Sequence, residues 1–359
     1  MNSVKASLLS AALWGMASFC QAAVTVEETT VTLPTYPPGP VDRNPIFYTG
    51  RVYQGAQGRV YPYPLQDVLH DEKVDRQYTA LRLENEYLEM SLLPEVGGRL
   101  FRFTDKHTGF EIFYRQSVIK PALIGMLGAW TSGGVEWNFP HHHRATTFMP
   151  VDYRLTENAD GSKTVWIGET ELRQRMKWSI GLTMRPGCSY LEADCRFMNR
   201  QAYIESMLYW ANVSVHCGPD YQVLFPPSCR VGTDHHKNYF TPFPMGRPNV
   251  AVDEVADLSR WKNFTSDHRS IFAVDPGNDF LAGYDHGLQM GTAHVGNQQI
   301  VCGKKFFLWG NNPGGFVWDK VLTDHDGPYL ELMVGAYSDN QPDYSWLSPY
   351  ETRACKQYW

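Results

Sequence analysis

An all-β chain, a large antiparallel β-supersandwich with very little helix, is the fold class that this sequence predicts. Three observations carry it. Apolar residues recur at every second position over many short runs, the helical period is nearly absent, and Gly, Asp and Asn break the runs at short intervals. Alternation of this kind marks antiparallel strands with one wet face. Well over ten such strands imply two packed sheets.

The elements follow in chain order. Residues 1–22 read as an export leader. Lys5 is the only charge before the apolar run ASLLSAALWGMASF, and CQA ending at Ala22 offers small residues to a signal peptidase. The run is shorter than the roughly 20 residues of a bilayer span. Phe19 before Cys20 is too large for a lipoprotein motif. Cleavage after Ala22 and a periplasmic or secreted product are expected. Residues 23–48 read as an N-terminal strand and a Pro-rich linker, YPPGPVDRNP, and residues 49–359 as the sandwich domain.

Within that domain YTALRLEN and YLEMSLLPE alternate around Asn85, and TVWIGETEL adds a strand. In MKWSIGLTMR the apolar set is Met176, Trp178, Ile180, Leu182 and Met184. YLEADCRFMN repeats it with Leu191, Ala193, Cys195 and Phe197 against Glu192, Asp194 and Arg196. RPGCS between them is a turn, so the two form an antiparallel hairpin. HRSIFAVD, NDFLAGYD, GLQMGTAHV, KKFFLWG and PYLELMVGAY continue the series, and DEVADLSRW is the one short helix expected. The chain stops at YETRACKQYW without a polar tail. A large aromatic at the end of a chain is unusual in solvent, so Trp359 leads to the expectation of a truncated product.

Composition narrows the function. Hydrophobic residues make up 43% and aromatics 14%, enough for a full core. The 32 basic against 38 acidic residues give a net charge of −6, with no basic run, which argues against a nucleic-acid partner. Beyond Cys20 the cysteines are Cys188, Cys195, Cys217, Cys229, Cys302 and Cys355. None forms a CxxC pair, which removes zinc-ribbon and thioredoxin-like readings; their pairing stays open.

LPEVGGRLFRFTDKHTGFEIFY, residues 93–114, resembles the opening of the galactose-mutarotase-like superfamily, a sugar-binding β-supersandwich. The run gives a strand, a Gly97-Gly98 reversal, a second strand, a turn from Asp105 to Gly109 and a third strand. SMLYWANVSV, residues 206–215, sits where that superfamily carries an aromatic-Asn strand lining its cleft. GGVEWNFPHHHRATTFMPVDY, VLFPP and WGNNPGGFVWDKVLTDHDGPYLELMVG resemble one branch, an uncharacterised bacterial domain family often followed by tetratricopeptide repeats. The resemblance covers residues 25–359 and implies a sugar or glycan partner and a missing C-terminal repeat region. One departure matters. Aldose epimerases pair a histidine acid with a glutamate base, and the histidine precedes the aromatic-Asn strand, where this chain has Met207 and Leu208.

The densest polar stretch is GGVEWNFPHHHRATTF, residues 133–148. Glu136 follows a Gly-Gly pair, where backbone can approach a ligand closely. Asn138 shares its side of an extended segment, and His141, His143 and Arg144 crowd donors nearby. The bland alternative is a loop that caps neighbouring strands. A second pole lies later. Trp309 and Trp318 flank a glycine-rich turn, and an indole can stack on a sugar's C–H face, although core positions are the plainer alternative. Glu331 shares a side with Tyr329 and Met333, opposite Leu330 and Leu332. If buried it has a raised pKa; if outward it is solvated.

The expected catalytic residues are Glu136, Glu331 and His143. The expected substrate-binding residues are Asn138, His141, Arg144, Trp309, Trp318 and Arg99, with Asp234 and His235 below them. Glu136, His143, Arg144 and Glu331 are expected to converge on one concave surface. A zinc at His141 and His143, or a calcium at Asp319, Asp324 and Asp326, lacks a recognisable ligand spacing, so no cofactor or metal is expected. The function these residues suggest is an exported carbohydrate-active protein that binds and processes a sugar or glycan at the anomeric centre, as a glycosidase, lyase or epimerase. The alternatives are a non-catalytic carbohydrate-binding domain of a once larger repeat-containing protein, and a decayed fragment.

Overall fold

The structure, a computed structural model, describes residues 23–359 other than 43, 45, 48–58, 142, 236, 249–250, 252, 266–267 and 338–342. The expected leader, residues 1–22, and part of the linker region lie outside the described residues. With 48% strand and 4% helix the chain is all-β.

Two large antiparallel sheets form it, of eleven and eight strands. The larger begins at its edge with Thr25–Thr35, paired along its whole length with Val74–Glu84. It continues through Leu88–Leu93, Arg99–Asp105, Val135–Asn138, Tyr209–His216, Tyr329–Ala336, Gly303–Leu308, Arg269–Val274 and Val231–Thr233 to Phe240–Pro242. The smaller includes the expected hairpin, Lys177–Met184 with Glu192–Met198, in which Ile180 faces Cys195 and Leu182 faces Ala193.

Alternation explains how the sheets meet. Trp178, Ile180, Leu182 and Phe197 from the small sheet share one core with Val135, Trp137, Val213, Leu330 and Leu332 from the large one. Burial of each such side chain stabilises by roughly 1.5–3 kcal/mol. The opposite face of the large sheet carries the polar alternates. Residues directly opposed in an antiparallel ladder share a face. Register therefore lines up Glu136, Asn212, Met333, Lys305 and Phe272 in one row across five strands. A second row holds Ser214, Glu331, Phe307 and Ser270. A third holds Asn138, Trp210 and Gly335, where a Cβ on Gly335 would stand 2.7 Å from the Trp210 indole.

Three local expectations are corrected. DEVADLSRW is not an α-helix: it supplies the short strand Ala256–Asp257 and the 3-10 turn Trp261–Asn263. Among the described residues the α-helix is Pro313–Leu322, inside what the sequence suggested was a glycine-rich turn. Asn312 caps it, accepting from the Gly315 amide at 3.0 Å, and Pro313 fits the first turn, so local capping overrides two glycines. The third strand expected after Gly109 shrinks to a single bridge between Glu111 and Thr104, because Phe113 and Tyr114 turn inward to pack. At the chain's end Trp359 does not face solvent. It packs edge-on against Phe113, Trp137 and His294 after the paired strand Thr352–Tyr358. Cys188, Cys195, Cys217, Cys229, Cys302 and Cys355 are free thiols.

Candidate functional site on the concave face

Gly133 and Gly134 set the site. Their φ values are +89° and +58°, conformations that glycine adopts without strain. A Cβ on Gly134 would sit 1.8 Å from the Leu100 carbonyl oxygen. The pair lets Val135–Asn138 enter between its neighbouring strands with Trp137 facing the core and Glu136 on the opposite face of the sheet. Trp137 Nε1 donates to the Gly98 carbonyl at 3.1 Å, which fixes that orientation.

Glu136 is buried and ringed by donors. Its Oε1 accepts from Trp130 Nε1 at 3.1 Å and Thr147 Oγ1 at 2.5 Å; its Oε2 lies 2.8 Å from His143 Nδ1 and 3.4 Å from Asn212 Nδ2. An ionised carboxylate only accepts, so towards Glu136 the Nδ1 of His143 is the donor. Trp130 packs edge-on against the imidazole at 5.4 Å between centroids.

Glu331 stands in the adjoining row, 4% exposed. Burial pushes its carboxyl up to about 7; His143, Lys305 and Arg99 oppose that rise, while Glu136 adds to it. It makes no hydrogen bond to a described residue, in contrast to Glu136. Lys305 is 1% exposed, with its ammonium 5.0 Å from the Trp210 ring centre and 4.8 Å from that of Phe272. Burial lowers it to about 7, against the pull of Glu331. Arg99 Nη1 donates to the Gly133 carbonyl at 2.9 Å, while its Nε and Nη2 are buried without a partner. Burial lowers its pKa, against the opposing pull of Glu136, Tyr329 and Glu331.

The remaining expected residues divide. Asn138 accepts from the Arg144 amide at 2.8 Å and so shapes the loop. His141 is buried near Gln174 and Tyr344, and burial lowers it to about 3, a neutral ring at the cleft's margin. Arg144 does not converge on the concave surface. Its guanidinium turns inward to the Gly97 and Trp137 carbonyls at 2.7 and 3.2 Å and lies over Trp178 at 4.4 Å. The backbone carbonyls of two adjoining turns outcompete the cleft for it. Trp309 and Trp318 stack on each other at 4.4 Å, half-buried, beside Tyr329 and Trp130. Asp234 accepts from the amides of Asn238 and Tyr239 in its own loop, and His235 packs on Phe272.

Of the three aspartates weighed for calcium, Asp324 pairs with Lys73 and Lys120, and Asp326 accepts from Ser117 and Thr323. Among the described residues no group of three or more His, Cys, Asp or Glu side chains is placed to hold a metal ion. Lys305 and Trp130 were not foreseen. The signal for Lys305 was present: in GKKFFLWG it alternates with Phe306 and Leu308, which put it on the face away from the core.

Residues 56–359 match the family model "Domain of unknown function (DUF5107)", and the chain belongs to that family. Among solved structures it is similar to a TPR-domain containing protein from Parabacteroides distasonis ATCC 8503. The TM-score is 0.79 at 22% identity, over 94% of this chain and 55% of that one. The chain thus spans little more than half of that protein's length. It is also similar to YeaD from Salmonella typhimurium, proposed to be a mutarotase, with TM-score 0.54 and 9% identity over 78% of this chain and 89% of that one. A third is the Slr1438 protein from Synechocystis sp. PCC 6803, with TM-score 0.52 and 12% identity over 78% and 94% of the two chains. The fold is that of the galactose-mutarotase-like proteins. No helix among the described residues is long and apolar enough to cross a membrane.

Proposed function

We propose that this chain is a carbohydrate-active enzyme that moves protons at the anomeric centre of a sugar. Glu331 serves as the acid and His143, oriented by Glu136, as the base. The carrying observation is a buried acid with no hydrogen bond to a described residue, in electrostatic contact with an imidazole anchored on Glu136 from the same sheet face. The likeness in fold to YeaD, proposed to be a mutarotase, supports a sugar as the substrate class.

The chemistry is economical. His143 Nε2 takes the proton of the anomeric hydroxyl while Glu331 gives one to the ring oxygen. The bond from the anomeric carbon to the ring oxygen breaks, and an open-chain aldehyde results. Rotation and the reverse transfers close the other anomer. A carboxyl held at about 7 keeps its proton for this task near neutrality. Engagement of Glu136 by Trp130, Thr147, His143 and Asn212 suits an orienting group better than a nucleophile. Trp210 and Phe307 give apolar surface for the sugar's C–H groups. Met207 and Leu208 hold the place of the epimerase histidine, and His143 enters from the neighbouring strand's loop instead. The scheme uses side chains alone.

The test is anomer interconversion of free aldoses by polarimetry, beside hydrolysis and elimination assays on a glycan panel, with wild type and Glu136→Gln. Loss of the orienting carboxylate should lower turnover by about 10²–10⁴-fold. The fold should survive at a cost of about 1–3 kcal/mol: glutamine's oxygen still accepts from Trp130 and Thr147, but its amide replaces an oxygen that accepts from Asn212, and His143 must move its proton off Nδ1 to accept from it. Saturable sugar binding without turnover would leave the non-catalytic binding domain as the reading. No binding to any sugar would refute both. Export with cleavage after Ala22 belongs to the same proposal, on the strength of Lys5 and the apolar run behind it. N-terminal sequencing of protein from the native host tests it, and an intact Met1 would refute it.

A further inference from the structure

We propose that Cys195 and Cys355 form a reversible cross-strand disulfide, a modification site in the small sheet that stands apart from the sugar reading. The two residues are directly opposed where Glu192–Met198 pairs antiparallel with Thr352–Tyr358. Opposed residues share a face, and both side chains belong to the core between the sheets. Cys188, Cys217, Cys229 and Cys302 lie outside the strands. Among the described residues Cys195 and Cys355 are therefore the only cysteines opposed in a ladder. Both are thiols in this structure.

The register sets their separation. Leu191 and Trp359 exchange both backbone hydrogen bonds, at 2.8 and 3.0 Å, and the Asn199 amide donates to the Glu351 carbonyl at 3.0 Å. The ladder between these ends runs without a shift, so every second pair is hydrogen-bonded, and Cys195 with Cys355 is one of them. Cα atoms in such a pair stand about 5.5 Å apart, inside the roughly 4.4–6.8 Å that a disulfide spans. Their Cβ atoms, up to about 5.5 Å apart, are wider than the roughly 3.5–4.5 Å of a relaxed bond. Closure draws the strands together and strains the bond, and strained disulfides are the readily reduced ones. The surroundings tolerate both states. The Cys195 sulfur lies 3.3 Å from the Tyr209 hydroxyl, which can donate to Gln357 Oε1 at 3.5 Å whether or not the sulfur carries a proton. Contact with Cys195, together with burial, holds the Cys355 thiol well above its ordinary value, which slows its reaction once the core has closed. The bond therefore forms as the chain folds, by exchange with a disulfide-bearing oxidant. One thiolate attacks the oxidant's disulfide, giving a mixed disulfide and releasing one thiol; the other cysteine displaces the second thiol and joins Cys195 to Cys355. Two protons and two electrons pass to the oxidant, which leaves as two thiols. The link ties down the strand that ends at Trp359, whose indole packs on Trp137, the neighbour of Glu136.

The experiment starts from the full chain, reduced and unfolded in urea, and refolds it in a series of buffers from excess oxidised to excess reduced glutathione. Circular dichroism checks the fold. Free thiols are then blocked with iodoacetamide in denaturant, and the unreduced protein is cut with chymotrypsin, whose cleavage at Tyr190 parts Cys195 from Cys188. Mass spectrometry should find the Cys195 and Cys355 peptides joined in excess oxidised glutathione, with two thiols lost to alkylation. In excess reduced glutathione the two peptides should be separate and alkylated. Cys355→Ala should leave Cys195 joined to no other cysteine. Folded wild type with both cysteines alkylated across the whole series overturns the proposal. So does either cysteine joined to a different one, in wild type or in the variant. A link undiminished in excess reduced glutathione overturns the strained, reversible bond argued from the register. The wild-type series decides even if the variant does not fold.

Discussion

Glu331→Gln separates an acid with a task from one that is merely buried. The substitution keeps shape and removes the proton. In the folded chain the carboxyl rises from 4.5 to about 7, mainly through burial. Between those values the folded state binds more protons than the unfolded chain, so stability falls as pH rises, by up to 1.36 kcal/mol per pH unit. Over the whole window that is about 3 kcal/mol, fully lost above pH 7. Glutamine has no such proton, and among the described residues Glu331 has no hydrogen-bond partner to lose. The variant should therefore match wild type near pH 4 and exceed it by up to about 3 kcal/mol at pH 8. Lys305 loses its charged neighbour, but burial has already brought it to about 7, so at pH 8 it is mostly neutral and the loss is small.

The assay is urea unfolding from pH 4 to pH 8.5, beside sugar turnover on the same preparations. Turnover should fall by about 10²–10⁴-fold if Glu331 is the acid. A variant less stable than wild type at pH 8, or one with the same slope between pH 4.5 and 7, would refute the account of Glu331 as a destabilised buried acid. Raised stability with unchanged turnover would keep that account and remove Glu331 from the chemistry.

Other outcomes follow from the same contacts. Gly134→Ala forces a Cβ to 1.8 Å from a backbone oxygen at φ +58°, so it should cost at least about 2–3 kcal/mol and shift Glu136; a melting curve within error of wild type would be inconsistent with that contact. Arg144→Met removes the donor to the Gly97 and Trp137 carbonyls and leaves Glu169, 3.4 Å from Nε, without its cation. A loss of about 3–5 kcal/mol is expected by denaturant titration, with sugar affinity per folded molecule unchanged. A folded Arg144→Met protein that has lost affinity alone would return Arg144 to the cleft.

Most of the strands were legible because the core demands a period of two. Ile180 and Leu182, or Leu330 and Leu332, can reach the opposite sheet only from alternate positions, and that need is printed in the sequence. The helix Pro313–Leu322 was not legible, since Gly314 and Gly315 read as a turn while the cap from Asn312 and the first-turn Pro313 decided otherwise. Glu136 and His143 were found from their density beside two glycines. Arg144 came from the same density, but nothing in its neighbourhood revealed that Gly97, 47 residues away, would present a carbonyl to it. Lys305 was hidden by its company, because KKFF reads as a strand edge facing solvent.

That last case shows what alternation leaves undecided. A polar residue every second position says which residues share a face; it does not say whether water reaches that face. Every position of Tyr329–Ala336 is buried, including those that point away from the core. The segments that cover this face of Tyr329–Ala336 come from very different places in the chain: Tyr344 follows Glu331 by 13 residues, whereas His143 and Trp130 precede it by 188 and 201. So Glu331 and Lys305 sit where a surface strand would keep them solvated, yet they are only 4% and 1% exposed. In a sandwich that used this face only as an exterior, substitution would favour apolar residues there, since burying charge without bonds costs stability. Charged groups on the inner rows, held by aromatic faces instead of by protein acceptors, are what a site shaped for a polar ligand would need.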